Sequence, residues 1–177
     1  GIAVVAVSLS AADVQLARFT MDKSRVSGQT RVHPVNLLGG PQLEMVLVSE
    51  SGQMVIYTQT QTGFVPVQTL PLPLPPSPDQ HIYYGFARLN STELYSLVLL
   101  SPGSVNYYPL ENGLLASQPT MLFETPLVSE TSPGPRQRPF DMALDLNGDG
   151  IDELLLPADN GFSISERRPD GTYARIK

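Results

Sequence analysis

The chain has 177 residues, 41% hydrophobic and 16% charged, with 14 glycines and 17 prolines. That is enough apolar material for the core of one ordinary domain or one piece of a larger one, which excludes wholesale disorder, while so many breakers disfavour long helices and point to a turn-rich β protein. Seventeen acidic residues against 11 basic ones give a net charge of −6, which argues against nucleic acid as the main partner, and zero cysteines exclude disulfides, thiolate zinc sites and thiol catalysis.

No apolar run is long enough to cross a bilayer as a helix, so no membrane span is expected. Residues 1–34 are set apart as an N-terminal segment. Within it, residues 2–9 are Val-rich and suit a β-strand; with the small residues up to Ala12 they equally fit the end of a secretory leader that lacks its basic start. Both readings stay open, and Gly1 in place of Met reads as a processed or engineered start. Residues 14–20 are expected to add an outer strand to a sheet built from other segments.

Three later segments follow one grammar, over 35–75, 82–124 and 141–177, with a Pro-rich linker at 125–140. Each reads as a short strand, a polar loop, an apolar strand, a turn with Gly, a strand, a second turn with Gly, and a fourth strand. Gly52, Gly103 and Gly161 form one series of turn glycines, and Gly63, Gly113 and Gly171 form another. The two independent series keep step along the chain to within a single position. Ser51-Gly52, Asn112-Gly113, Asn160-Gly161 and Asp170-Gly171 supply the positive φ of hairpin turns. Residues 94–100 form a continuous apolar run, as in a strand buried on both faces. Repeats of four strands over roughly 40–50 residues are the pattern of β-propeller blades, so the expected class is all-β with about three four-stranded blades. The Pro-rich stretch 70–78 is expected to be a stiff surface spacer.

One motif carries chemistry. Asp145-Leu-Asn147-Gly-Asp149-Gly-Ile151-Asp-Glu153 places oxygen donors at every second position with Gly at the sixth, which describes a loop that wraps a hard cation. Asp145, Asn147 and Asp149 would offer side-chain oxygens, Ile151 its backbone carbonyl, and Glu153 would close the sphere. An EF-hand needs Glu at the twelfth position, which is Leu156 here, and a following helix where an apolar strand begins. The alternative is a solvated turn without metal.

The stretch from Asp145 to Pro157 resembles the FG-GAP/VCBS repeat, the blade of integrin-α-like β-propellers. The resemblance extends over most of the chain as degenerate repeats, and it is specific in that stretch. It implies calcium as cofactor. It departs from the family at Glu153, where Asp is usual, and it implies that Asp152 points away. Arg88 stands at the first ligand position of the second unit, and residues 36–41 of the first offer almost no carboxylates.

Other candidates are weaker. His33 and His81 read as surface or loop histidines, Arg136, Arg138, Arg167 and Arg168 as solvated. Tyr83, Tyr84, Phe86, Tyr107 and Tyr108 read as packing aromatics, with a sugar- or peptide-binding face as the alternative. No nucleophile-elbow, P-loop or dinucleotide fingerprint occurs, so no catalysis is expected. Three blades are too few to close a propeller, so an oligomer, a heteromeric complex or a longer chain is expected. The expected function is a non-catalytic, calcium-binding interaction module for a protein or carbohydrate, secreted, periplasmic or at the cell surface. The alternative is an accessory domain of a larger secreted enzyme.

Overall fold

The computed structural model describes residues 2–10, 13–21, 30–78, 80–126, 137–158 and 161–176, the first two stretches as backbone alone. The described residues form strands and turns without helix, as expected from the Gly and Pro content. β1 (Ile2–Ser10) and β2 (Asp13–Met21) make an antiparallel hairpin. β3 (Thr30–Val35), β4 (Glu44–Ser49), β5 (Gln53–Thr60) and β6 (Gly63–Pro71) follow in spatial order as the first four-stranded antiparallel sheet. The second sheet starts with β7 (Ile82–Ala87), β8 (Ser96–Ser101) and β9 (Ser104–Tyr107). A small ribbon of β10 (Leu110–Glu111) and β11 (Leu114–Leu115) then intervenes before β12 (Thr120–Glu124) completes the sheet beside β9. β13 (Gln137–Pro139) lies parallel along the other edge, against β7. β14 (Ala143–Leu144), β15 (Glu153–Ala158), β16 (Gly161–Arg167) and β17 (Tyr173–Ile176) form the third sheet. No described helix is long and apolar enough to cross a membrane.

The packing follows from the two-residue period of a strand. β8 sends Leu97 and Leu99 to one side, where they meet Val46, Val48, Met54 and Ile56 of the first sheet. It sends Val98 and Leu100 to the other, where they meet Met142, Leu154 and Leu156 at the third. Each such fully buried side chain contributes roughly 1.5–3 kcal/mol relative to an exposed one. On the opposite face of the first sheet, Met45, Leu47, Val55, Tyr57 and Phe64 form a third buried cluster, and β2 runs beside β6.

Several expectations change. β3 begins at Thr30, ahead of Val35. Residues 14–20 pair with β1 and do not extend a four-stranded sheet. Asn112-Gly113 turns the β10–β11 ribbon, so the fourth strand of the second sheet comes later, at β12. The stretch 70–78 is docked: Leu72 is buried, its N–H reaches Gly52 O at 2.7 Å, and the Pro73 carbonyl accepts from Gln137 Nε2 at 3.0 Å. Part of the expected linker is strand β13. Its continuation comes close enough to β7 that a Cβ at Gly85 would stand 2.5 Å from the Phe140 carbonyl.

His81 is buried, against expectation, because it leads straight into the buried start of β7. His33 is half-buried between Tyr84, whose hydroxyl lies 3.2 Å from Nε2, and Phe86. Tyr84 and Tyr108 are buried in the core, so these aromatics pack, and the binding-face alternative does not apply to them. Burial first, and then the Arg31 charge, hold the His33 pKa below its ordinary 6.5, while burial pushes Tyr84 up to about 12.

This packing has two measurable consequences. Gly85→Ala forces backbone apart and is expected to cost about 1–3 kcal/mol. Gly103→Ala has open space around it and meets only the left-handed strain of φ 86°, about 1 kcal/mol; urea unfolding that ranks the two the other way contradicts the close approach. Because the folded state disfavours protonated His33, its contribution to stability is full above pH 6.5 and falls as the pH drops through and below that value. His33→Phe is expected to flatten this loss in melts run from neutral to mildly acidic pH.

Candidate metal centre

The loop between β14 and β15 is held by its own side chains. Asp145 accepts from Gly148 N at 2.7 Å and Gly150 N at 2.9 Å, Asn147 Oδ1 from Asp149 N at 2.8 Å, and Asp149 Oδ1 from Ile151 N at 2.8 Å. Glu153, buried at the start of β15, accepts from Leu146 N at 2.6 Å. Short Asx side chains thus replace the strand ladder as partners for the loop N–H groups. Gly150 is required twice over. Its φ is 86°, and a Cβ there would meet Thr92 Cγ2 of the β7–β8 loop at 2.6 Å.

The structure brings Asp145, Asn147, Asp149 and Glu153 into one network. Ile151 joins through its N–H; the expected ligand is its carbonyl. The Asn147 amide nitrogen lies 3.1 Å from Asp149 Oδ2 and 3.0 Å from Glu153 Oε1, bridging two carboxylates as a cation would. Among the described residues no three carboxylate or imidazole side chains are gathered as a metal site. The donors are nevertheless all oxygen and largely anionic, the set a hard cation takes.

The first sheet contains a related latch that sequence reasoning missed. Glu44, buried like Glu153, accepts from Leu37 N at 2.8 Å and Leu38 N at 3.3 Å, and Asn36 Oδ1 accepts from Gly39 N at 3.1 Å. Asn36 and Glu44 have the same spacing as Asp145 and Glu153. The glutamate therefore latches its loop even where the carboxylate pattern is missing. The shared Glu opening each apolar strand is the available signal.

Asp152 does point away from the network, but it is buried against the second sheet. It accepts from Arg88 N at 2.7 Å, Arg88 Nε at 3.2 Å and Arg88 Nη2 at 2.6 Å, and its own N–H donates to Arg88 O at 2.9 Å. The hydrogen bond that Arg88 donates to Asp152, with that carboxylate's charge, raises the Arg88 pKa. Arg88 Nη2 also lies 3.9 Å from Asp145 Oδ2. An equivalent joint links the first two sheets, where Tyr95 N donates to Asn36 O at 2.8 Å.

Removing Asp152 strands a partly enclosed guanidinium. Asp152→Ala is expected to cost about 2–3 kcal/mol, less than a fully buried pair because Arg88 keeps some solvent. Asp149→Ala in calcium-free buffer is expected to cost about 1 kcal/mol or less. Equal losses in urea titrations with chelator present contradict the inter-sheet role of Asp152.

Compared with known proteins, the chain matches no protein-family model and no curated protein.

Proposed function

We propose that this chain is a non-catalytic, calcium-binding interaction module whose sheets are propeller blades resembling FG-GAP/VCBS repeats, assembled with further sheets. It binds a protein or carbohydrate partner and works where calcium is plentiful: secreted, periplasmic or at the cell surface. The observation that carries this reading is the oxygen-rich loop at 145–153, already folded by its own hydrogen bonds before β15. The shared latch geometry at 36–44, and the like joints between successive sheets, support reading the sheets as one repeated unit.

Asp145, Asn147, Asp149 and Glu153, with the Ile151 carbonyl, would hold the ion. Calcium would supply the positive charge that fixes the loop for partner contact. What the chain itself contributes is preorganisation. Gly148 and Gly150 carry the left-handed turns, Glu153 anchors the loop to the strand, and the Arg88–Asp152 pair anchors it to the second sheet.

Calorimetric melts with calcium and with chelator test this. At a tenfold excess over the dissociation constant, calcium is expected to stabilise the fold by roughly 1.4 kcal/mol. That corresponds to several degrees in Tm for a domain of this size. Asp149→Ala is expected to abolish the shift, and Asn147→Asp, which exchanges the bridging amide for a carboxylate, to enlarge it. Asp152→Ala is expected to melt lower but keep the shift. A wild type that melts identically with and without calcium refutes the metal assignment.

A further inference from the structure

The seam between the first and second sheets is filled at one end and open at the other. On β3, Arg31, His33 and Val35 share one face by the two-residue period of a strand, and that face looks toward the second sheet. Val35 is buried in the shared core, and His33 reaches Tyr84 of β7. At Arg31 a pocket of about 390 Å³ opens between the end of β4 and the added strand β13. That size falls within the roughly 300–1,000 Å³ of small-molecule sites, which favour junctions between packed units.

The walls are fixed to one another. Gln137, buried in β13, donates from Nε2 to the Pro73 carbonyl at 3.0 Å and packs on Gly52, where an added Cβ would stand 2.6 Å from that nitrogen. This side chain ties the edge strand of the second sheet to the first sheet. Its other amide atom, Oε1, is buried and has no hydrogen-bond partner among the described residues. A buried acceptor without a donor is costly. Arg31 and Arg138 bring positive charge to the lining, and Glu50 brings negative charge. Among the described residues, neither Arg31 nor Glu50 has an oppositely charged group within ion-pair distance. The Arg31 charge is felt at Tyr84, which closes the inner wall.

We infer that this pocket binds a small organic acid that also carries hydroxyl or amino groups, its carboxylate against Arg31 and Arg138 and its donors toward Glu50 and Gln137 Oε1. The lining decides this class. Guanidinium groups only donate, and their fork matches a carboxylate. Glu50 and Gln137 Oε1 only accept, so the other side of the ligand has to donate. A fully ionised phosphate, an acceptor all round, satisfies neither and is repelled by Glu50. A neutral sugar leaves Arg31 without a counter-charge. Sugar acids and amino acids both meet the requirement.

This deepens the proposed function and rests on its reading as a binding module, but not on calcium. Calorimetric titrations of the full chain test it, with chelator present throughout. Galacturonate serves as the sugar acid and alanine as the amino acid, and at least one is expected to bind with a Kd of about 1 mM or tighter. Galactose, which lacks the carboxylate, and propionate, which lacks the donors, are expected to bind at least tenfold more weakly. Arg31→Gln, at an exposed position, is expected to weaken binding at least tenfold with the circular dichroism unchanged. Glu50→Gln, also exposed, is expected to narrow the gap to propionate. Failure of both acids to bind at roughly 10 mM, galactose or propionate binding equally well, or indifference to Arg31→Gln each overturns the inference. Melts that ignore calcium while galacturonate or alanine still binds refute the metal reading alone.

Discussion

A sheet with apolar side chains on both faces has to be covered twice, and the rest of this structure follows from that demand. β8 is the clearest case, with four successive buried residues pointing alternately to the first and third sheets. A strand of that composition has no solvent face, so its sheet is stable only between two others. The first sheet meets the same demand with the second sheet on one side and a separate buried cluster on the other.

Apolar faces are non-directional and tolerate sliding, so something else must set how the sheets sit on one another. The loops before the central strands supply this. Asn36 O receives Tyr95 N–H, and Arg88 O receives Asp152 N–H, at nearly the same distance. At the second joint the backbone bond is reinforced by the Arg88–Asp152 ion pair, which aligns the third sheet by direction as well as by contact. Gly150 approaches Thr92 closely beside the second joint, and Gly85 of β7 approaches the Phe140 carbonyl just ahead of the third sheet.

What can be read from the sequence is local. The run at 94–100 announces a doubly buried strand, and the turn glycines announce hairpins. Turn chemistry says that a turn exists, not which sheet it serves, and so the pattern around Asn112-Gly113 points to a fourth strand where the chain instead makes a separate ribbon. β13 is invisible in the sequence because a short piece of a Pro-rich stretch becomes strand only by pairing with β7, far earlier in the chain. The Arg88–Asp152 pair spans 64 residues and leaves no periodic trace. The candidate loop is legible because its donors alternate along one short segment. The direction of the Asn147 amide is not, since it depends on the Asp149 and Glu153 oxygens that flank it.

The three loops also differ in how they are held, and the difference bears on why the carboxylate pattern occurs only in the third. The first loop is braced from the second sheet through Asn36, whose carbonyl and side-chain amide bond Tyr95 N and Glu93 O. The second is braced from the third sheet through Arg88. The third loop is the last of the series among the described residues, and the contacts described for it are its own side chains and Arg88 of the preceding loop. The carboxylates of Asp149 and Glu153 repel one another across the Asn147 amide, which offsets this with neutral hydrogen bonds, while Asp145 has Arg88 Nη2 at 3.9 Å. A divalent cation would oppose the repulsion directly. On the function proposed, calcium would brace the third loop from within, through its own oxygen donors.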